Sequence, residues 1–468
     1  MKEPSKKVEL GKEAIWDVRS LSIGTRGLLG LQHMFAMFGA TILVPLLTGL
    51  DISTTLFMAG LGTLLFHLLT KGKVPAFLGS SFAFIGGYAA VAPMINDAPN
   101  LDMLPYACGG VFFAGLVYVI IAGLVKAFGV SRVMKYFPPV VTGPIIISIG
   151  LTLAPSAVGN ASTDWLLAAV AIAVIVYFNI WGKGMARIIP IILAIVASYV
   201  VALLLKRVDF SSMQAAQTVA LPLDPSRFMK LDPSAIISIT PIALATMMEH
   251  IGDITAISAT VKKNYLKDPG LHRTLLGDGL ATSLASAFGA PANTTYGENT
   301  GVLVLTRVYD PAVMRLAAVF AIILSFFPVV SGFIRSIPMA IIGGVSLILY
   351  GMISAVGVRN LVENQVDFTK SRNLIVAASI FVSALGFTGS VSGLSFDVFG
   401  TTITLSGLAI AALVGIILNA LLPGKDYNFS DDKPRPTGVN FSGTDATFKG
   451  KPFNWSYSDG EEPTGQFD

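Results

Sequence analysis

The sequence predicts an all-α polytopic membrane protein with fourteen transmembrane segments. Three observations carry that reading. Of 468 residues, 53% are hydrophobic and only 13% charged, about half the charged share of an ordinary soluble domain, and mean hydropathy is +0.71. The apolar residues fall in runs long enough to cross about 30 Å of hydrocarbon. Between the runs, Lys and Arg collect on alternate loops.

Taken in order, residues 1–26 form a polar N-terminal segment that mixes Lys2, Lys6 and Lys7 with Glu3 and Glu9. It has no short apolar stretch with a cleavage site, so no cleavable signal is read there. Spans are drawn at 27–49, 53–70, 76–94, 104–128, 137–157, 164–181 and 187–206, closing a first seven-span repeat over 27–206. A loop of mixed charge, 207–232, follows on the extracytoplasmic side. Seven more spans, at 233–258, 273–289, 292–308, 312–334, 338–357, 372–390 and 403–423, make the second repeat over 233–423. From 424 to 468 the chain turns rich in Gly, Ser, Pro and Asp and repeats an Asn-aromatic-Ser triplet at Asn428, Asn440 and Asn454. That composition reads as a disordered cytoplasmic tail.

An even number of spans puts both termini on one side, and charge says which. The loops on the side of the termini hold sixteen Lys and Arg between Lys71 and Arg372; the opposite side holds five, four of them (Lys206, Arg207, Arg227 and Lys230) at the edge of or within the long central loop. Both termini are therefore expected in the cytoplasm. The net charge of +4 is small and dispersed, which argues against a nucleic-acid partner. The single cysteine, Cys108, leaves no intrachain disulfide and no Cys-based zinc site, and its apolar surroundings make it a small core residue.

The two halves resemble each other. Pro75-Ala76 leads to Ser80-Ser81-Phe82-Ala83, and Pro291-Ala292 leads to Thr294-Thr295-Tyr296-Gly297. Each pattern falls in the third span of its seven. Because seven is odd, the second copy is inverted in the membrane, as expected for a secondary transporter with a midplane site between broken helices. The stretch Pro291–Arg307 shows the break most plainly: an extended start, a turn at Tyr296-Gly297, then a helix opening near Glu298.

Four acids fall within spans: Glu249, Asp253, Asp278 and Glu298. Ionisable groups at that depth are costly and usually functional. Glu249 and Asp253, four apart, share a helix face, while His250 points away toward a neighbouring helix. His33 and His67 read as structural histidines. Asp278 follows Arg273 by five residues near the cytoplasmic surface, which suggests a structural or gating ion pair. Glu249 and Glu298 have no cation close by in their own spans and can take up a proton, the property that proton coupling needs. Helix starts at Phe82 and Gly297–Glu298 offer N–H donors, and the carboxylates offer acceptors. A neutral planar ligand with alternating C=O and N–H, such as a pyrimidine or oxopurine, matches both sets, with Phe82 or Tyr296 stacking on it.

The residues Glu298-Asn299-Thr300-Gly301, followed by Thr306-Arg307, match the signature of the nucleobase–ascorbate transporter family. Further matching blocks begin at Leu31, Lys71, Glu249, Asp268 and Gly343, so the resemblance runs over most of 27–423. Within the family the chain is most similar to the bacterial uracil permeases. The resemblance implies uracil–proton symport by alternating access, with a core domain of spans 1–4 and 8–11 and a gate domain of spans 5–7 and 12–14. It also implies short antiparallel β-strands in spans 3 and 10 that meet at the midplane. Glu249 and Glu298 would bind the base, the backbones of Phe82 and Gly297 would meet its carbonyl oxygens, and Tyr350 would line the path. Glu298, Asp253 and Glu249 become the groups for proton coupling, with the proton gradient in place of any cofactor. The family further suggests a homodimer in the cell membrane.

One position departs from the pattern. The uracil permease block carries a histidine four residues after its glutamate, where this chain has Asp253. Xanthine-type members also place an acid there, so a xanthine or other purine–proton symporter is the alternative; the glutamate opening the 298 motif favours uracil. A channel, a related anion transporter and a membrane-embedded hydrolase using Glu249 and Asp253 fit less well. No H-E-x-x-H or G-x-S-x-G motif is present to support the hydrolase.

The charge bias predicts that Asp224 is external and Lys267 cytoplasmic. In a Cys108→Ala background on intact cells, a cysteine at Asp224 should react with an impermeant thiol reagent and one at Lys267 should not. Equal labelling, or labelling at Lys267 alone, would overturn the topology.

Overall fold

The computed structural model describes residues 13–95, 98–214, 217–388, 393–398 and 401–425; the tail beyond 425 and residues 1–12 lie outside the described residues. Helices α1 (Ile23–Thr48) and α2 (Ile52–Leu69) open the chain, each capped by a side chain that accepts from the first turn: Ser22 from the Thr25 amide and Asp51 from the Thr54 amide. The next apolar stretch is not a continuous helix. It runs as strand β1 (Leu78–Ser80), a 3₁₀ turn (Phe82–Phe84) and the short α3 (Ile85–Val91). Then come α4 (Leu104–Phe128), α5 (Pro139–Ser162), α6 (Trp165–Trp181) and α7 (Pro190–Leu204).

The second half follows the same plan. It begins with α8 (Pro233–Ile239) and α9 (Ile242–Val261), separated at Pro241, and then α10 (Leu271–Ala287). Strand β2 (Asn293–Thr295) leads into α11 (Gly297–Thr306). The chain continues through α12 (Ala312–Ser325), α13 (Pro328–Arg335), α14 (Met339–Glu363) and α15 (Ser371–Gly386). A hairpin of β3 (Leu394–Val398) and β4 (Thr401–Leu405) precedes the last helix, α16 (Gly407–Leu421).

Two of the drawn spans need correction. The span at 312–334 is two helices, α12 and α13, bent by 84°; Pro328, at the first turn of α13, cannot donate to a helix continuing from α12. The span at 403–423 begins with a strand, because the alternating, β-branched run T-T-I-T-L pairs with L-S-F-D-V across the hairpin. By length and hydropathy, among the described residues α1, α2, α4, α5 and α14 can each cross a membrane, as can α8 and α9 taken together, and the bent α12–α13 pair makes a seventh. The remaining apolar helices, including α6, α7, α15 and α16, are shorter.

Packing falls into two groups. One joins α1 and α2 to α12, and α10 to α2 and α4; the other joins α14 to α5 and α6, α6 to α7, and α15 to α16 and α5. The α4–α10 crossing shows how such contacts are made without a solvent-driven core. A Cβ added to Gly279 would lie 2.6 Å from the Gly115 carbonyl, and one added to Gly115 would lie 2.6 Å from the Gly279 carbonyl. Only hydrogen at both positions lets the backbones approach so closely, the small-residue packing typical of helices in lipid. Outward, Ile120, Tyr177, Leu204, Val382 and Leu421 are exposed, an apolar exterior suited to acyl chains and not to water. The chain is a multi-pass membrane protein.

The described residues before α1 lie along the connection between α11 and α12 in the second half. Ile15 forms a parallel bridge with Val308, donating to the Arg307 carbonyl and accepting from the Tyr309 amide, each at 2.8 Å. Trp16 packs against the Tyr309 ring at 5.1 Å, and the Lys263 ammonium stands 4.0 Å over the Trp16 ring.

Candidate functional site

Where the two broken stretches meet, β1 and β2 pair antiparallel, with Leu78 opposite Thr295, Gly79 opposite Thr294 and Ser80 opposite Asn293. The pairing is extended by the Ser81 amide donating to the Ala292 carbonyl at 2.9 Å and the Tyr296 amide to the Phe77 carbonyl at 3.0 Å. All six strand residues are buried. Extended backbone at such depth has to find partners inside the protein, and each strand supplies them to the other. The short antiparallel strands expected from the family resemblance are present.

Side chains from flanking helices complete the backbone bonding. Thr63 of α2 accepts from the Leu78 amide at 2.9 Å. Thr282 of α10 donates to the Asn293 carbonyl at 2.6 Å. Asn293 donates from Nδ2 to the Met58 carbonyl at 3.0 Å, and Tyr296 from its hydroxyl to the Ser80 carbonyl at 2.8 Å. Gly79 makes the last contact possible, since a Cβ there would lie 2.6 Å from the Tyr296 ring. The histidines read as structural are so placed. His67 meets the Ala76 carbonyl at 2.9 Å, and His33 holds Asn299, whose amide nitrogen donates to the His33 carbonyl at 3.0 Å.

Beside this junction lies a small cavity. Ser80 and Phe82 form one wall and Thr294 to Gly297 another. Helix α9 contributes Glu249, Gly252 and Asp253, the i, i+3, i+4 face anticipated from their spacing. The far side is Ile146 of α5 with Ile353, Val356 and Asn360 of α14. The cavity thus lies between the two groups of packed helices. Phe82 and Gly297 each stand at a helix start, where amides have no partner in their own helix.

Of the residues expected at the site, Glu249, Asp253, Phe82 and Gly297 converge on this cavity. Glu249 is half-buried, and Asp253 is buried and accepts from the Thr295 hydroxyl at 3.0 Å. The backbone of Glu298 is the second residue of α11, while its side chain lies outside the described residues. Tyr350 stands behind the wall: buried, it packs edge-on against Phe82 with ring centroids 6.0 Å apart at 74°. Asp278 is fully buried and faces His250, with Nδ1 to Oδ2 at 3.1 Å, and not Arg273, which donates to the Leu69 carbonyl at 3.1 Å. Sequence spacing favoured Arg273 because both lie on α10, but the imidazole of α9 reaches the carboxylate from across the helix interface. Spacing also missed Thr295, Ser80 and Asn360. The signal for Ser80 and Thr295 was the pair of hydroxyl residues, Ser80-Ser81 and Thr294-Thr295, that recurs in the two halves.

Chemically, the described lining has two carboxyl groups, hydroxyl and amide groups, aromatic and aliphatic surface, and no Lys or Arg. Such a set suits a neutral, planar, hydrogen-bonding ligand.

The model of a permease family (Xan_ur_permease) matches residues 25–392. The chain belongs to this family, the nucleobase–ascorbate transporters. It is similar to the uracil permease of Bacillus caldolyticus, 42% identical over 410 residues, covering 85% of this chain and 92% of that protein. It is likewise similar to the uracil permease of Bacillus subtilis (strain 168), at 41% over 410 residues and 84% and 91% of the two chains. Among solved structures, the transmembrane domain of the cyanobacterial bicarbonate transporter BicA superposes with a TM-score of 0.61 at 14% identity, covering 86% of this chain and 99% of that one. That likeness is one of fold: as a family member the protein is a permease with a transporter architecture and not an enzyme.

Proposed function

We propose that this permease imports uracil together with a proton by alternating access, with the base held in the cavity beside the β1–β2 junction. The observation that carries the reading is the convergence of Glu249 and Asp253 with the helix starts at Phe82 and Gly297 in a cavity whose described lining has no cation. Acceptors face donors across a space suited to a flat ring, and the similar proteins of two bacilli are uracil permeases. In this reading Glu249 accepts from the ring N–H groups, the Phe82 and Gly297 amides serve the carbonyl oxygens, and Glu298 joins them from the start of α11. Tyr350 acts by backing Phe82.

The architecture proposed with it is fourteen spans in two inverted repeats, 27–206 and 233–423, in the cell membrane with both termini cytoplasmic. Three features support the repeat: β1 and β2 each interrupt the third apolar stretch of their half, a threonine of the second apolar helix of each half (Thr63, Thr282) bonds the backbone of that half's strand, and the helices pack in two groups. The core domain is spans 1–4 and 8–11, the gate domain the rest, and the wall of Ile146, Ile353, Val356 and Asn360 belongs to the gate. A homodimer and the proton as co-substrate follow from the family. Asp253 favours a second reading, a purine base such as xanthine, because it adds a buried acceptor to the cavity beyond Glu249.

If Glu249 accepts from the base, Glu249→Gln should weaken uracil binding by roughly tenfold to a hundredfold, the effect of losing a charged hydrogen bond of about 1.5–3 kcal/mol. Calorimetry on the purified protein measures this, and wild-type affinity in the variant would sink the assignment. Competition by xanthine better than by uracil would instead select the second reading. Glu298, the second residue of α11, is the acid we propose to carry the coupled proton, and a glutamine there imitates the protonated carboxyl. Glu298→Gln should keep measurable binding and lose uphill uptake in vesicles; accumulation that still collapses with a protonophore would transfer the coupling to another acid.

A further inference from the structure

Two titratable side chains next to the cavity are not part of its wall. His250 turns away from the face that Glu249 and Asp253 share, and its imidazole Nδ1 lies 3.1 Å from Asp278 Oδ2, with both side chains wholly buried. Around them stand Phe66 of α2, edge-on to the imidazole at 6.3 Å, and Tyr118 of α4, whose hydroxyl donates to Thr246 Oγ1 at 2.7 Å. Among the described residues, neither Asp278 oxygen has a well-aligned hydrogen-bond donor, and His250 Nε2 has no partner. Helix packing alone does not call for a carboxyl and an imidazole here; buried polar groups with so few partners cost stability and need another reason to be there.

One hydroxyl connects this pair to the cavity. Thr295 Oγ1 is 3.0 Å from Asp253 Oδ2, to which it donates, and 3.4 Å from His250 Nδ1. Among the described residues, the titratable groups beside the pair are Asp253, reached through Thr295, and Tyr118 of α4, which stands between Asp278 and Glu249; β2 presents the Thr295 hydroxyl and α2 presents Phe66. A buried carboxyl beside an imidazole is electrically neutral only when the two together carry one proton beyond that of the neutral ring.

Resting on the reading of the cavity as a proton-coupled nucleobase site, we propose that His250 and Asp278 form a proton-holding pair of the transport cycle, filled and emptied through Thr295 and Asp253. In the filled state the pair is neutral and Asp253 is ionised. On transfer, the Asp278 carboxyl gives its proton to His250 Nδ1, Nδ1 passes a proton to Thr295 Oγ1, and Thr295 gives its own to Asp253 Oδ2. The pair is left with one negative charge, Asp253 is neutral, and the total charge is unchanged. Neither His250 nor Asp278 touches the base; they act through Asp253. Coupling then needs no contact between the moving proton and the substrate, and a cavity acid can be re-protonated from within the protein after the base has left.

The test uses the full-length protein in vesicles, with [¹⁴C]uracil uptake and exchange measured across a range of pH. Asp278→Asn and His250→Gln should leave uracil binding and uracil–uracil exchange within about threefold of wild type and lower accumulation driven by a pH gradient by about tenfold or more. Thr295→Val, which keeps the shape and removes the hydroxyl, should flatten the pH profile of uptake, and Thr295→Ser should restore it. A pH profile in Thr295→Val equal to that of wild type, or loss of binding and exchange in step with accumulation in the Asp278 and His250 variants, would overturn the proposal. Wild-type vesicles that take up no uracil would instead refute the functional reading. The pair is tested apart from any substrate by infrared spectroscopy of the purified protein. A protonated-carboxyl band that titrates in wild type should vanish in Asp278→Asn and shift its pH dependence in Thr295→Val; its presence unaltered in both variants would also overturn the proposal.

Discussion

Two stretches of extended backbone lie buried among apolar helices, and each can be there only because the other supplies its hydrogen bonds. In a membrane interior no water stands ready to satisfy a free amide or carbonyl. The β1–β2 ladder, with Thr63, Thr282 and Tyr296 bonding its backbone from the side and Asn293 tying it to α2, is therefore the contact that the site depends on. Because one strand comes from each half of the chain, neither half can complete the site alone. The same breaks that demand the pairing also start new helices, and so bring amide donors at Phe82 and Gly297 to one cavity.

Electrostatics then narrows what the cavity can hold. Two acids, with no cation among the described lining residues, disfavour an anion, and backbone donors disfavour a simple cation. What remains is a neutral ligand bearing donors and acceptors in one plane. The superposition on BicA, named as a bicarbonate transporter, shows that the architecture itself does not choose the solute. In the proposed reading the choice falls to side chains such as Glu249 and Asp253, which the fold holds at the same junction.

Much of this was legible in the sequence, for physical reasons that also mark where legibility stopped. The apolar runs predicted the helices because lipid demands length, and Pro291 with its threonines predicted the break because those residues favour extended backbone. Glu249 and Asp253 were placed on one face by helical period alone. Contacts between distant elements were out of reach: Asp278 was matched with Arg273 on its own helix, and the structure gives it His250 from α9. Thr295 was read as a strand former and not as the partner of Asp253. The 84° bend before Pro328 and the strand in front of α16 were hidden because hydropathy averages over a window and records no direction.

The central claim is that a base sits at the junction of the two broken spans. A structure of the protein with uracil bound, by crystallography or electron cryomicroscopy, tests it most directly. The account predicts a flat density between Phe82 and Gly297, its carbonyl oxygens at the two amides and a ring N–H at the Glu249 carboxylate. Uracil bound elsewhere, with the space between Phe82, Gly297 and Glu249 filled only by water, would contradict it.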